Sequence, residues 1–244
     1  GYTITNYLGN NVFKMPYAPL PQGKNSISDF IPVARVSDML LNPGQKFDYD
    51  GQEYTYPDID LIYWAGGNPF HHHQNLTRLR KAWEKPSTVI VNEWCWNALA
   101  RHADIILPCT TTLERQDIGM TPRDPFVISM DKAIEPIGEA RNDYDIFAGI
   151  ARNLDTEYAF TEGRSAEDWQ EWIWEQSRER AAKLNVKMPD YQSFRKTGFY
   201  KSPELNEDRI FLSDFINDPD TNPLKTPSGK IEIFSETIDS FDYD

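Results

Sequence analysis

The sequence lacks several things whose absence narrows its function. Of 244 residues only two are cysteine, Cys95 and Cys109, and they form no CxxC. A disulfide framework and a cysteine-based zinc or iron–sulfur centre are therefore not expected. Positive charge is scarce: 25 Lys and Arg stand against 38 Asp and Glu, for a net charge of −13. Phosphate backbones and anionic membrane surfaces need basic patches, so nucleic acid is not an expected partner. No apolar run approaches the ~20 residues of a membrane-crossing helix. The dinucleotide fingerprint GxGxxG is missing, which counts against an ordinary NAD-type dehydrogenase domain. The start, GYTITNYLGNNVF, has neither the basic nor the apolar segment of a secretion signal. Both ends read as cut, so the chain is expected to be an internal piece of a longer protein.

What is present is an aromatic-rich chain with 7 Trp, 12 Tyr and 13 Phe. Residues 1–30 are polar and rich in Asn, Pro and Gly, and read as irregular chain. Residues 31–41 read as a short helix closed by Asn42-Pro43-Gly44. Around Asp50-Gly51 the alternation of residues 46–56 predicts a β-hairpin, because Asp-Gly supplies the positive φ angles of a tight turn.

From residue 59 the pattern becomes α/β. Continuous apolar runs at 61–65, 88–91 and 105–107 predict buried parallel strands. Helices are expected at 74–83, with Leu76, Leu79 and Trp83 inward, and at 96–102. A helical turn is expected over Thr110–Arg115, and a further strand at 126–130. A helix at 142–154 would turn Tyr144, Phe147, Ala151 and Leu154 inward. The clearest helix is 165–184, with Ser165 and Asp168 in a capping box and Trp169, Trp172, Ile173 and Gln176 inward. Residues 185–225 read as loops with short strands, and 231–234 as a strand.

The predicted fold is α/β: a Rossmann-like, mostly parallel sheet with flanking helices. An irregular N-terminal extension precedes it over 1–58, the dinucleotide-binding domain occupies 59–200, and 201–244 begins a C-terminal β domain.

Several residues at predicted strand ends could carry chemistry. Gly66-Gly67-Asn68-Pro69 lies between a strand and a helix. It is either an ordinary tight turn or a place where backbone approaches a pyrophosphate at a helix N-terminus. Glu93 ends the next strand, somewhat beyond the ~20 residues at which an acidic side chain meets a ribose in dinucleotide folds; a solvated strand-end carboxylate is the alternative. His71-His72-His73 is no metal site, since consecutive helical side chains point ~100° apart; one of the three would lie near a ligand. Asp104 opens a strand. After it, Pro108 and Thr110 begin a threonine run that could bond phosphate or sugar, or cap a helix. Asp143 is either a helix cap or a carboxylate placed to take the N1–H and amine of a guanine.

Taken together, YWAGGNPFHHHQNLTRLRKAWEKPSTVIVNE, RHADIILPCTTTLERQDIG, IEPIGEARNDYDIFAGIARNL, FTEGRSAEDW and NPLKTPSGKIEIFSETI resemble the dimethyl sulfoxide reductase family of molybdenum enzymes. Within it, the likeness is to the trimethylamine-N-oxide reductase and biotin sulfoxide reductase branch. The resemblance is collinear along nearly the whole chain. It implies a molybdenum held by two molybdopterin guanine dinucleotides in a parent enzyme about three times this length. That enzyme would reduce N-oxides or S-oxides by oxygen-atom transfer. It implies that Gly66, Gly67, Asn68, Pro69 and His72 line the cofactor, that Glu93 takes the ribose, that Pro108 and Thr110 follow the pyrophosphate, and that Asp143 reads the guanine. The serine ligand and active-site aromatics of the branch match no segment here, and Ser26, Ser28 and Ser37 stand in the wrong context. The piece is thus expected to supply a cofactor cradle with no catalytic residue and no metal ligand, to be inactive by itself, and to lack the cofactor when isolated. Implied partners are the remaining domains of the parent chain, a small oxide substrate and a c-type cytochrome donor, with a periplasmic rather than cytoplasmic location and no membrane insertion. The rival reading is a stand-alone guanine-nucleotide-binding or scaffold module.

Overall fold

The computed structural model describes residues 17–24, 26, 30–121, 125–203 and 212–242. Most of the irregular stretch expected over 1–30 lies outside them. In chain order the elements are α1 (Val36–Leu41), β1 (Lys46–Tyr49), β2 (Gln52–Thr55), β3 (Leu61–Ala65), α2 (Pro69–His72), α3 (Leu76–Trp83), β4 (Thr88–Glu93), β5 (Ile105–Pro108), β6 (Asp117–Met120), β7 (Phe126–Met130), α4 (Asp143–Asn153), α5 (Glu157–Thr161), α6 (Ala166–Ala182), α7 (Tyr191–Thr197), β8 (Phe199–Lys201), α8 (Ser213–Asn217) and α9 (Glu236–Asp239). The chain is mixed α/β, with a parallel three-stranded sheet in order β3-β4-β5, an antiparallel sheet β6-β7-β8 and the hairpin β1-β2. None of the helices among the described residues is long and apolar enough to cross a membrane.

Two compact units share the described residues. One draws on Gly23–Thr111, Pro136–Ile150 and Ser235–Asp244; the other on Gly1–Gln22, Thr112–Glu135 and Ala151–Phe234. The first contains the parallel sheet. Its hairpin turns at Asp50 (φ 50) and Gly51 (φ 73), the positive angles that this dipeptide tolerates. Strands β3 and β4 pair with Leu61 opposite Thr88 and Ala65 opposite Asn92, and β4 pairs with β5 from Ile90–Ile105 to Glu93–Pro108. Leu79, Ala82, Val91 and Leu99 are wholly buried in its core, with Phe70, Trp83 and Val89 around them.

Three expectations for this unit need correction. The helix foreseen at 74–83 begins only at Leu76, because Asn75 takes a left-handed conformation and its side chain accepts the Arg78 N–H. Leu76, the first helical residue, sits beyond the core edge and is exposed. In place of a helix at 96–102 there is a single 3-10 turn, Ala100–His102. There the Asn97 side chain accepts the Ala100 N–H at 3.0 Å, closing a local turn that competes with helix.

In the other unit, Phe126–Met130 is a strand but not part of the parallel sheet: it pairs antiparallel with β6 and β8. Residues 110–115 form no helical turn; Thr112 and Leu113 make an ordinary turn into β6. Helix α6 carries the expected capping box, with Ser165 and Asp168 exchanging hydrogen bonds. Its buried stripe differs from the expectation. Trp169 is buried, but the deep positions are Trp174, Ser177 and Ala181, which step by three and four, while Trp172, Ile173 and Gln176 stay half-buried. Trp174 stacks on Phe194 of α7, a helix capped by Asp190 and stopped by a left-handed Gly198. Leu154 follows the last turn of α4 and is exposed. Residues 231–234 form no strand; Ile231, Ile233 and Phe234 are exposed, with no partner strand among the described residues.

Candidate functional site

Parallel strands deliver their following loops to one edge of a sheet, where ligands of α/β folds bind. Here β3, β4 and β5 end at Ala65, Glu93 and Pro108 in matched register. The glycine turn, the loop after Glu93 and the loop after Pro108 therefore converge.

The glycine turn is open. Gly66 and Gly67 have φ of +79 and +70. No heavy atom lies within 4 Å of where a Gly66 Cβ would stand, and the nearest to a Gly67 Cβ is His72 Nε2 at 3.5 Å. The turn is held from behind by Trp64 Nε1, which donates to the Gly66 carbonyl at 2.9 Å. Asn68 caps α2, its Oδ1 accepting the Phe70 N–H at 3.0 Å, with Pro69 at the first helical position. Because Oδ1 must face that N–H, the orientation of the amide is fixed. Its Nδ2 is buried without a hydrogen-bond partner, an arrangement that costs about 1–3 kcal/mol unless an acceptor arrives. One element of the expected site is weaker than foreseen. The helix after the turn has only four residues, so it offers far less macrodipole to an anion than a continuous 74–83 helix behind it would suggest.

His72 folds back toward Gly67, while the His73 ring meets Trp64 edge-on, its Nε2 buried without a partner. Burial, followed by the neighbouring His72 charge, pushes His73 below its ordinary value. Among the described residues no group of three or more His, Cys, Asp or Glu is arranged to hold a metal ion. His102 is engaged elsewhere: it stacks on Phe70 at 4.3 Å and its Nδ1–H donates to the Ala98 carbonyl at 2.7 Å.

Glu93 is buried at 8% exposure, and its Oε1 accepts the Trp94 N–H at 3.1 Å. Beside it Trp94 and Trp96 are 66% and 71% exposed. Two flat apolar surfaces so placed at a ligand-binding edge could stack on an aromatic ring. Sequence alone does not single them out, because tryptophan is as easily core as surface and the residues from Trp96 to His102 predict a helix. Asp104 has a structural task, its carboxylate accepting the Val89 N–H at 2.8 Å.

The third loop is tied to the start of α4. The Arg141 N–H donates to the Pro108 carbonyl, and the Thr110 N–H donates to the Arg141 carbonyl, each at 3.0 Å. The Thr110 hydroxyl donates to Asn142 Oδ1 at 2.8 Å, and Thr110 is 4% exposed. Thr110 therefore holds the approach to α4 through its side chain. This ladder brings Asp143, the first residue of α4, to the sheet edge. There Asn92 Nδ2 donates to Asp143 Oδ1 at 2.8 Å, and the Tyr63 hydroxyl donates to Asn92 Oδ1 at 2.7 Å. Burial raises the Tyr63 hydroxyl above its ordinary value, which the bond to Asn92 partly offsets and the Asp143 charge reinforces. Residue type does not single out Asn92 and Tyr63 either; the available signal is a polar Asn directly after the apolar run 88–91, ahead of Glu93 at the strand end.

The edge thus gathers the glycine turn with Asn68, Pro69 and His72, the carboxylate of Glu93, the Pro108–Thr110 loop and the carboxylate of Asp143. The family model for molybdopterin oxidoreductase matches residues 6–153. The chain is 44% identical over 225 residues to a biotin sulfoxide reductase of Cereibacter sphaeroides, covering 92% of this chain and 30% of that protein. It is 48% identical over 218 residues to a dimethyl sulfoxide/trimethylamine N-oxide reductase of the same organism, covering 88% and 26%. A trimethylamine-N-oxide reductase of Haemophilus influenzae is 43% identical over 217 residues, covering 87% and 26%. The chain therefore spans under a third of the length of these relatives.

Proposed function

Because the chain belongs to the molybdopterin oxidoreductase family, we propose that it holds the guanine dinucleotide end of a molybdopterin cofactor for a larger N-oxide or S-oxide reductase. The family implies a molybdenum–pterin group; the dinucleotide form and the residue roles are the reading offered here. When bound, the group supplies a two-electron redox centre for removing an oxygen atom from the substrate.

The observation that carries this reading is the unpartnered, buried Nδ2 of Asn68 beside two glycines whose exposed backbone leaves open space. A donor fixed in orientation next to an open turn suits a phosphate oxygen. Gly66, Gly67, Asn68, Pro69 and His72 would line the dinucleotide. Glu93 would accept the ribose hydroxyls, with Trp94 and Trp96 shielding it from water. Pro108 and Thr110 would run beside the pyrophosphate, Thr110 by position, since its hydroxyl is already bonded to Asn142. Asp143 would accept from guanine N1–H and its amine. The remaining parent domains would enclose the ligand and contribute the metal ligand and the substrate pocket.

The test is a titration of the 244-residue chain with GMP and GDP, followed by the fluorescence of the exposed tryptophans. Saturable binding, lost in Glu93→Ala and in Asp143→Ala, is the expected result. Equal binding of NADH, or binding unaffected by both substitutions, would remove the guanosine assignment. The chain alone should reduce no N-oxide with an artificial electron donor; measurable turnover would overturn its reading as a cradle without catalytic groups.

A further inference from the structure

Asn92 is 5% exposed and spends both ends of its amide inside the protein. A carboxylate can only accept, so the atom facing Asp143 must be Nδ2, and the atom facing Tyr63 must be Oδ1. The Tyr63 hydroxyl is thereby obliged to donate. Its ring is set against Phe147 on the same α4 that begins with Asp143, at 5.4 Å between centroids. The relay Tyr63–Asn92–Asp143 joins β3, β4 and the first turn of α4 with one permitted direction for every proton.

We infer that Asn92 is the positioning residue that gives the site its preference for guanine, by holding Asp143 in a single rotamer with a carboxylate edge turned to the base. The inference rests on the guanine reading of Asp143 proposed above. An ionised carboxyl has about four lone-pair sites, so the bond from Asn92 leaves room for the two donors of a guanine edge. Without Asn92 the carboxylate would rotate, and its bonds to the base would have to compete with the freedom of a side chain at a helix start. The same logic extends to a changed partner. In Asp143→Asn no carboxylate fixes the Asn92 amide, and the Tyr63 hydroxyl can either donate or accept. Both amides can then turn over, and the guanine preference should be lost.

The experiment compares GMP and AMP binding to the 244-residue chain and its variants, with circular dichroism as a check of folding. The unmodified chain should favour GMP over AMP by about tenfold or more, the scale of hydrogen bonds to a charged acceptor. Asn92→Leu should weaken GMP about tenfold and leave AMP unchanged. Tyr63→Phe removes only a hydroxyl, leaves the Asn92 amide held at one end instead of two, and should reduce the GMP preference in the same direction. Asp143→Asn should lose the GMP preference whether or not Asn92→Leu is added. A merely structural Asn92 would lower all affinities together. An unchanged GMP-to-AMP ratio in Asn92→Leu and Tyr63→Phe would overturn the role of Asn92 while leaving the guanine site standing. An unmodified chain that does not distinguish GMP from AMP would instead bring down the guanine reading, and this inference with it.

Discussion

The hydroxyl of Thr110 donates to Asn142 Oδ1 at 2.8 Å, fastening the loop after the third parallel strand to the residue before α4. Asp143 is the next residue, so the position of a carboxylate on one segment depends on a hydroxyl on another. Thr110→Val keeps the shape and removes the donor. It should cost about 1 kcal/mol of stability, the usual net worth of one hydrogen bond. It should also weaken guanine-nucleotide binding while leaving the binding of a bare phosphate unchanged. Denaturant melts and paired GMP and phosphate titrations would read the two effects; equal losses for both ligands would contradict the fastening role.

Gly67 stands at φ +70 with His72 Nε2 at 3.5 Å from an added Cβ. Space is adequate, and the backbone angle is the obstacle. Gly67→Ala should cost about 1–2 kcal/mol from the left-handed conformation alone. For a chain of this size that lowers Tm by roughly 2–4 °C per kcal/mol. GDP binding should suffer more than guanosine binding, because the turn is the part proposed to meet phosphate. A Tm unchanged in Gly67→Ala would show that the turn is not held in this conformation.

Trp174 lies flat on Phe194, with ring centroids 3.8 Å apart and 11° between planes, and its Nε1 donates to the Pro189 carbonyl at 2.9 Å. Trp174→Ala should destabilise by about 3–5 kcal/mol, typical of a buried aromatic truncated to a methyl. Urea melts would measure it. A cost below about 1 kcal/mol would show that this core is not packed as described.

Burial lowers the affinity of His73 for a proton below its ordinary value of 6.5. The unfolded chain then binds more protons than the folded one as pH falls through 6.5, so stability declines over that range until the folded imidazole also charges. Asp168 acts lower on the scale. The Ser165 backbone N–H, and then its hydroxyl, hold its carboxyl below 3.8. That contribution is complete above 3.8 and is lost as pH falls through the depressed value. His73→Gln should therefore flatten the stability profile just below 6.5. Asp168→Asn should be less stable than the unmodified chain at neutral pH and converge with it in strong acid. Parallel profiles for either pair would refute the assignment.

Where the candidate residues stand could be read from residue types and order. The glycines, Asn68, Glu93 and Asp143 all stand at strand or helix ends, where loops meet ligands. What could not be read was their mutual wiring. A threonine run suits phosphate and a helix cap about equally, and the Thr110 bond that decides its side chain reaches Asn142, 32 positions away. Asn92 follows an apolar run, and its partner Asp143 is 51 positions away.

By itself the sequence determined the local pieces: the Asp50-Gly51 turn, the Ser165–Asp168 cap, the three apolar strands and the glycine turn. Each depends on backbone angles or hydrogen bonds spanning a few residues. The tertiary structure alone decided that Phe126–Met130 joins an antiparallel sheet, that Trp174 rather than Trp172 lies deepest, and that residues 231–234 remain without a strand partner among the described residues. Strand partnership and helix rotation are settled by surfaces brought from distant parts of the chain. No short window of residues contains the contacts that choose between them.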